Sequence, residues 1–304
     1  MFLVNNLSPT DPDFAELREE IKRVSENQDY WGKDKYPLRW IHLEQSLDKI
    51  RDEGQQLVHM DEIEEVNLSK KHALVLSKDE LLVFLELQHR QGKILFYNTD
   101  ELKHLVVLAP QWIIDAFKCF VTYIGRRKPK FLKDWEDYDK LAILKPHIID
   151  EIMYNSPSHI KENKDDVIKY MEHLNVMAKP KATEQDNGAQ VKTDVTEDCN
   201  FKLLDFHIVP CRLKNTPPSI DKFTSPDCER FKRTPVLAFV FCEKCMPPSF
   251  FHRLVAVCIR AWPIKKEEDK DRLYNGLAIF AIRQTYTLTI WYKDYIIYAR
   301  IACC

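Results

Sequence analysis

The sequence is poor in glycine, with six glycines among 304 residues. That is about 2%, against an average near 7% in ordinary proteins, and no two of them lie within ten positions of each other. A phosphate-binding loop needs clustered glycines, because its backbone N–H groups approach the anion where a Cβ atom would block them. Neither GxGxxG nor GxxxxGK[ST] occurs. The chain therefore has no nucleotide-binding loop of these kinds.

Catalytic and metal-binding patterns are missing as well. No two of the ten histidines are closer than 12 positions, which excludes HxH and HExxH sites, and no serine lies in a GxSxG motif. Paired carboxylates such as Glu64 and Glu65 lie in polar, helix-like stretches typical of a solvated face. We predict no catalytic residue, no cofactor and no enzymatic activity. A hydrolase or transferase site assembled from distant residues stays an alternative, without a nucleophile and base to name.

Nine cysteines at irregular spacing, without a secretory signal, predict reduced thiols in a cytoplasmic protein. Cys242 and Cys245 form a C-x₂-C pair, which is half of a zinc site. We favour the interpretation that they are two thiols at the end of a strand, and so predict no metal. The net charge of −2 does not steer the chain to nucleic acid or to anionic membranes. Its apolar runs fall short of the roughly 20 residues that span a bilayer, which predicts no membrane segment.

The first half of the chain reads as mainly helical. A short strand at 2–4 precedes a helix that carries Phe14, Leu17, Ile21 and Val24 at helical spacing. Further helices are predicted from Tyr36-Pro37, after a capping box at Ser77, from Pro110, and near 137–153 and 165–176. Gly92 ends the helix that follows Ser77, and segments 94–97 and 105–108 then predict a hairpin. Helix, hairpin and new helix occur here in the order of a winged-helix unit.

The second half reads as a sheet with one helix. No aromatic residue occurs between 171 and 200, and 179–198 is polar and charged, which predicts a linker. Strand-like segments rich in β-branched and aromatic residues follow at 201–209, 235–242, 273–282, 286–292 and 295–301. One helix opened by Pro247-Pro248 separates the second from the third. Short turns between successive strands predict an antiparallel sheet packed against that helix, so the fold class is α+β.

Five motifs in this order resemble the COR region (C-terminal of Roc) of the Roco family of multidomain GTPases. They are the helix Pro37–Glu44, the segment Leu87–Tyr97 running into Val107–Trp112, the strand Phe206–Leu213, the helix start Met246–Leu254, and the strand Leu273–Gly276. The resemblance covers nearly the whole chain.

The resemblance implies a helical lobe with winged-helix character, followed by an antiparallel sheet lobe with a packed helix. It divides the chain into 1–30, a remnant of a Roc-like GTPase domain comprising its last strand and helix; 31–177, the COR-A lobe; 178–198, a linker; and 199–304, a COR-B lobe truncated at its C-terminal end. It also implies a non-catalytic coupling and dimerisation module, which relays nucleotide state between the Roc GTPase and neighbouring domains. The implied partners are the Roc domain of the parent chain and a second copy through 199–304, with no small-molecule substrate.

Two surfaces are candidates for binding a macromolecule. The interface candidates are Phe241, Trp291, Tyr292, Tyr295 and Tyr298, aromatic residues on or beside strands of the second half. The alternative is a winged-helix nucleic-acid-binding protein that uses the basic stretch 118–133. That stretch holds Lys118, Arg126, Arg127, Lys128, Lys130 and Lys133 without an acidic residue among them. Against it, the hairpin loop at 98–101 is acidic, and the helix at 81–87 is too apolar to read a groove. Nucleic acid is therefore not the expected partner.

Overall fold

The computed structural model describes residues 13–28, 36–121, 131–182, 202–217, 233–267, 270–283 and 286–303. The chain divides into two compact units, Met1–Ala109 (unit 1) and Pro110–Cys304 (unit 2). The predicted strand at 2–4 lies outside the described residues.

Unit 1 contains four helices and a small sheet among its described residues. The helices are α1 (Asp13–Glu26), α2 (Leu38–Asp52), α3 (Met60–Leu68) and α4 (Lys78–Arg90), with a 3₁₀ turn at His72–Leu74. The strands are β1 (Leu57–His59), β2 (Leu95–Phe96) and β3 (Leu105–Val107), and they lie in the order β1-β3-β2 with antiparallel pairing throughout.

The signals at both ends of α4 behave as the sequence predicts. The Ser77 hydroxyl accepts the Glu80 backbone N–H at 3.3 Å, as a helix N-cap does. Gly92 has a φ of +72°, the left-handed conformation in which the chain leaves the helix. The predicted hairpin forms as β2 and β3. The structure adds β1 and α3, which the sequence analysis did not predict; α3 carries four carboxylates, at 61, 62, 64 and 65.

The core of unit 1 forms between α2, α4 and the sheet. Leu43 of α2, Phe84 and Leu85 of α4, and Val106 of β3 are buried in one cluster. Asn67 is also buried, and its amide both donates to the Leu76 carbonyl and accepts the Leu76 N–H, each at 2.9 Å. A side chain therefore satisfies both backbone groups of Leu76, two residues before α4 begins.

The helical part of unit 2 begins with α5 (Pro110–Val121). Four more helices follow it, α6 (Leu132–Leu141), α7 (Pro146–Tyr154), α8 (Ser158–Lys161) and α9 (Lys164–His173), and α5 packs against α7 and α9. The segment predicted as one helix near 137–153 is divided by Ala142, whose φ is +60°, and by β4 (Ile143–Leu144). This strand pairs with β5 (His207–Ile208), which precedes a 3₁₀ turn at Pro210–Arg212.

The second part of unit 2 is a five-stranded antiparallel sheet with one long helix, α10 (Pro248–Ala261). The strands are β6 (Leu237–Val240), β9 (Leu273–Tyr274), β10 (Leu277–Arg283), β11 (Tyr286–Lys293) and β12 (Ile296–Cys303), in the order β6-β12-β11-β10-β9. A separate two-stranded ribbon contains β7 (Lys266–Glu267) and β8 (Lys270–Asp271). Phe251, Val255 and Ile259 of α10 pack on one face of the sheet. The predicted fold class, a helical region followed by an antiparallel sheet with a packed helix, is confirmed.

The domain boundaries drawn from the sequence stay predictions. Along the chain, unit 1 ends at Ala109 and unit 2 begins at Pro110. The sequence instead places its main boundary at 178–198. Within that stretch, Ala178 forms an antiparallel bridge with Ile208 and Lys181 forms one with Leu203. Residues 183–201 lie outside the described part of the chain.

Candidate interaction surface

The five aromatic residues predicted as an interface do not lie on one surface. Trp291 and Tyr298 are opposite each other in the β11–β12 pair, and their rings stack with centroids 5.3 Å apart. They share their face of the sheet with Leu277 and Ile279. Trp291 is buried, with 5% of its surface exposed.

The other three residues lie on the opposite face, which packs on α10. Phe241, Tyr292 and Tyr295 are half-buried there against the main core of unit 2. Tyr292 contacts the Phe251 ring edge-on, with centroids 5.0 Å apart. Successive strand residues point to opposite faces, so neighbours such as Trp291 and Tyr292 separate. The interface role of these five residues stays a prediction.

Sequence reasoning missed a set of apolar residues that are exposed. Leu237, Phe239 and Val240 of β6 are 56%, 54% and 59% exposed, and Phe250 and Val257 of α10 are 54% and 43% exposed. An apolar strand and an apolar helix stripe both indicate burial, so nothing in the local sequence marks these positions. The place of β6 at the edge of the sheet accounts for the exposure of its three residues, and the exposure of the two α10 residues is evident only in the folded structure.

Arg212 is a buried charged residue that joins three segments of unit 2. Its guanidinium donates to the carbonyls of Phe120 and Val121 at the end of α5, at 3.4 and 2.5 Å, and to an Asp139 carboxylate oxygen at 3.0 Å. It also stacks over the Tyr138 ring, 4.5 Å from the centroid. Arg212 therefore caps the C-terminal end of α5, where carbonyls lack partners within the helix.

The ionisable groups around Arg212 are held in fixed states. A hydrogen bond from Lys214 holds the pKa of the Asp139 carboxyl below its usual value against the opposing effect of burial, and the Arg212 charge adds to the lowering. Burial raises the pKa of Tyr138, whose hydroxyl donates to the Phe120 carbonyl at 2.7 Å. These groups keep one charge state near neutral pH, as structural groups do.

A second buried polar contact links α9 to β5. His207 Nε2 lies 2.7 Å from a Glu172 carboxylate oxygen, and His207 is 5% exposed. Burial raises the pKa of Glu172, but the His207 hydrogen bond and the charges of His207, Lys179 and Arg260 outweigh it, so the net shift is downward. The pair therefore joins α9 to β5.

A small cavity lies in unit 1 between α2 and α4, with a volume of about 90 Å³. Its lining is Tyr36, Trp40, Ile41, Glu44, Leu87, Gln88, Gln91 and Lys93. Small-molecule sites usually occupy roughly 300–1,000 Å³. This cavity is too small for such a site.

Cys242 and Cys245 both lie exposed as free thiols, in the connection between β6 and α10. In the described part of the chain, no three His, Cys, Asp or Glu side chains are grouped so that they could hold a metal ion.

The described helices include none with the length and apolarity that crossing a membrane requires.

The cysteines should differ sharply in their reactivity. Cys258 on α10 is 4% exposed, and burial raises its pKa to about 11. Because the thiolate is the reacting form, we expect iodoacetamide at pH 8 to modify Cys242 and Cys245 at least about 100-fold faster than Cys258, as followed by peptide mass spectrometry. In denaturant the three rates should converge. Equal rates in the native protein would contradict the placement of Cys258 in the core.

The basic stretch of the nucleic-acid alternative falls largely outside the described residues, including Arg126, Arg127, Lys128 and Lys130. Of its described members, Lys118 pairs with Asp115 on α5 at 2.8 Å. The charge of this lysine is therefore paired with a carboxylate of the same helix.

Comparisons with known proteins give a structural likeness but no match at the level of sequence. No sequence family matches the chain, and no curated protein matches it. A solved structure of the Roco2 RocCORdC fragment of Methanosarcina barkeri, bound to GDP, is similar over 67% of this chain, with 13% sequence identity and a TM-score of 0.43. The matched part covers 52% of that protein, about half of its length. A likeness at this TM-score carries no conclusion about function.

Proposed function

We propose that the chain is a non-catalytic coupling and dimerisation module of a Roco-type multidomain GTPase, and that it relays nucleotide state between a Roc GTPase domain and neighbouring domains. The observation that carries the proposal is the order of five COR-like motifs along the sequence. Most of these motifs coincide with points that shape the fold. Gly92 ends α4, Trp112 is buried in α5, Arg212 caps α5, and Gly276 has a φ of +95° between β9 and β10.

The topology of unit 1 supports the winged-helix character that the resemblance implies. The elements α2, β1, α3, α4, β2 and β3 follow one another, and β3 lies between β1 and β2 in the sheet. A winged helix has this order, with its hairpin as the wing.

The charges of α4 favour a protein partner over nucleic acid. A helix that binds the DNA backbone presents mainly Lys and Arg, since each phosphate contact needs a cation. The exposed residues of α4 include Lys78 and Arg90 but also Asp79, and Glu86 is half-buried beside them. Mixed charge of this kind suits a protein surface.

We expect the purified chain to bind neither GTP nor GDP at micromolar concentration, because it lacks clustered glycines. We also expect it to form a dimer, because the edge of the sheet in unit 2 is exposed and apolar. Isothermal calorimetry measures nucleotide binding, and size exclusion with light scattering measures mass between 1 and 50 μM, about the range of weak dimers.

Each result bears on a separate part of the proposal. Micromolar affinity for a guanine nucleotide would contradict the non-catalytic role. A monomer at every concentration would contradict dimerisation. Retention on heparin that falls steeply with salt, together with binding to duplex DNA, would favour the nucleic-acid alternative. As a matched control, a variant with Lys128 and Lys130 replaced by Gln should keep the mass of the wild-type chain.

A further inference from the structure

The strand β6 presents an open edge that is apolar. It is the outer strand of the five-stranded sheet, and all four of its residues are exposed. Soluble proteins usually protect an edge strand with charged side chains, proline or a covering segment, because its free N–H and C=O groups pair with any available strand. Residues 237–240 are Leu, Ala, Phe and Val, with no charge and no proline. An unprotected edge of this composition is suited to pairing with another strand.

The free backbone groups of β6 can be assigned from its pairing with β12. Phe241 donates its N–H to the Tyr295 carbonyl at 3.2 Å. In an antiparallel pair, residues alternate between bonding to the partner strand and facing away from it. Leu237 and Phe239 therefore also bond to β12, and the N–H and C=O groups of Ala238 and Val240 point to the open side. No strand of the described chain pairs with that side.

The apolar surface continues from the strand onto the neighbouring helix. Ala299 and Ile297 of β12 belong to the core beneath α10. Leu237 and Phe239 lie opposite these two residues in the β6–β12 pair, so Leu237 and Phe239 lie on the face of the sheet that carries α10. Further along that face, the Phe241 ring contacts the Phe250 ring with centroids 5.5 Å apart. Strand edge and helix thus form one surface.

We propose, building on the dimerisation proposed above, that β6 pairs with β6 of a second copy in an antiparallel register centred on Phe239. A two-fold axis perpendicular to the sheet makes the two edge strands antiparallel and gives an isologous contact. With the axis at Phe239, Ala238 is opposite Val240 of the partner subunit, and Val240 is opposite the partner's Ala238. These are the residues whose backbone groups face outward, so each pair exchanges both of its hydrogen bonds.

The chemistry of the surface selects a second copy as the partner. In a two-fold contact the residue on the axis meets its own copy, which is unfavourable for a charged residue and favourable for a neutral apolar one. Phe239 on the axis would contact its own counterpart as a close, non-hydrogen-bonded pair. A single added peptide strand would cover β6 alone, whereas a second copy also brings its own α10 toward Phe250 and Val257.

The exposed area is sufficient for such a dimer. A half-exposed aromatic side chain offers about 100 Å², and Val236 adds to the five exposed residues of β6 and α10. Together these side chains supply about 500 Å² per copy, or about 1,000 Å² in total, which is the lower bound of a specific interface. We therefore expect a reversible dimer of micromolar affinity.

Two substitutions test the interface without disturbing the core. Phe239→Lys places two like charges on the axis, and Ala238→Pro removes an outward N–H while leaving every bond to β12 intact. We expect either change to weaken the dimer at least about 100-fold by light scattering. Leu68→Lys, at a 68% exposed leucine of unit 1, is the matched control and should leave the dimer unchanged. Circular dichroism and the thermal midpoint establish that each variant is folded.

Cross-linking tests the register independently. In a background with Cys242→Ser and Cys245→Ser, Phe239→Cys should form an intermolecular disulfide in the dimer, because non-hydrogen-bonded pairs have Cα atoms about 4.5 Å apart. Leu237→Cys should not, since the axis separates the two copies of this residue by about four positions, or roughly 13 Å.

The outcomes separate this inference from the function on which it rests. A wild-type dimer that survives Phe239→Lys and Ala238→Pro, without the expected disulfide, would overturn the β6 interface and leave dimerisation standing. A monomeric wild-type chain would overturn both. A monomer that instead binds a synthetic peptide of residues 235–242 would assign the edge to an extended peptide and overturn the second-copy proposal.

Discussion

Replacement of Arg212 by leucine is expected to lower the free energy of unfolding of unit 2 by about 2–4 kcal/mol. The side chain is 7% exposed and serves the carbonyls of Phe120 and Val121 together with Asp139. Leucine would leave the half-buried Val121 carbonyl without its donor, whereas the Phe120 carbonyl keeps the Tyr138 hydroxyl. An unsatisfied buried polar group costs about 1–3 kcal/mol, and a hydrogen bond from a charged group contributes about 1.5–3 kcal/mol. The stacking over Tyr138 would be lost as well.

Lys214 provides a matched control, because it binds the same Asp139 oxygen at 2.6 Å but is 61% exposed. Lys214→Met should cost no more than about 1 kcal/mol, as is usual for an exposed ion pair. The loss of stability for Arg212→Lys should fall between those for Arg212→Leu and Lys214→Met, because an ammonium group cannot donate to two carbonyls and a carboxylate in one plane. Urea denaturation followed by circular dichroism measures all three. Equal losses for Arg212→Leu and Lys214→Met would show that the buried contacts to α5 contribute nothing.

A comparable loss is expected in unit 1 when Phe84 is replaced by alanine. Phe84 is fully buried, and its ring contacts the edge of the Trp40 ring with centroids 5.9 Å apart. Phe→Ala in a core removes the transfer free energy of the ring and leaves a cavity, at a cost of about 3–5 kcal/mol. The Trp40 indole N–H donates to Glu80 at 2.8 Å, so a shift of Trp40 into the cavity should also change its fluorescence.

The neighbouring residue serves as the control for Phe84. Val83 is 54% exposed on the same helix, and Val83→Ala should change the free energy of unfolding by less than about 0.5 kcal/mol. Both variants change the helix propensity of α4 in the same direction, so the difference between them measures burial alone. Chemical denaturation monitored by tryptophan fluorescence checks this expectation. Similar losses at the two positions would contradict the packing of α4 in unit 1.

Much of the local structure could be predicted because its signals are local. Ser77 and Gly92 bound α4 through capping chemistry that acts within one turn. The turn at Asp294, with a φ of +56°, joins β11 and β12 where the sequence places it. The paired prolines before Phe250 mark the start of α10, since a proline at the first helical position has no N–H to leave unbonded.

The sequence was less informative where contacts join distant segments. β1 and β4 are two or three residues long, and they exist because β3 and β5 pair with them. Arg212 follows a recognised motif, but its task depends on the end of α5, about 90 positions earlier in the chain. Such pairings leave no periodic signal in either segment.

The sequence by itself determined the α+β class, the ends of the main helices, the strands of the sheet and the lack of a nucleotide-binding loop. These follow from periodicity, capping residues and composition, all of which act over a few neighbouring residues. The tertiary structure decided which apolar residues are buried. Trp291 and Phe239 are both apolar residues on strands, yet Trp291 lies on an inner strand at 5% exposure and Phe239 on the outer strand at 54%. Strand order is set by pairing between segments far apart in the chain, so only the folded sheet distinguishes a core residue from one that is free to bind a partner.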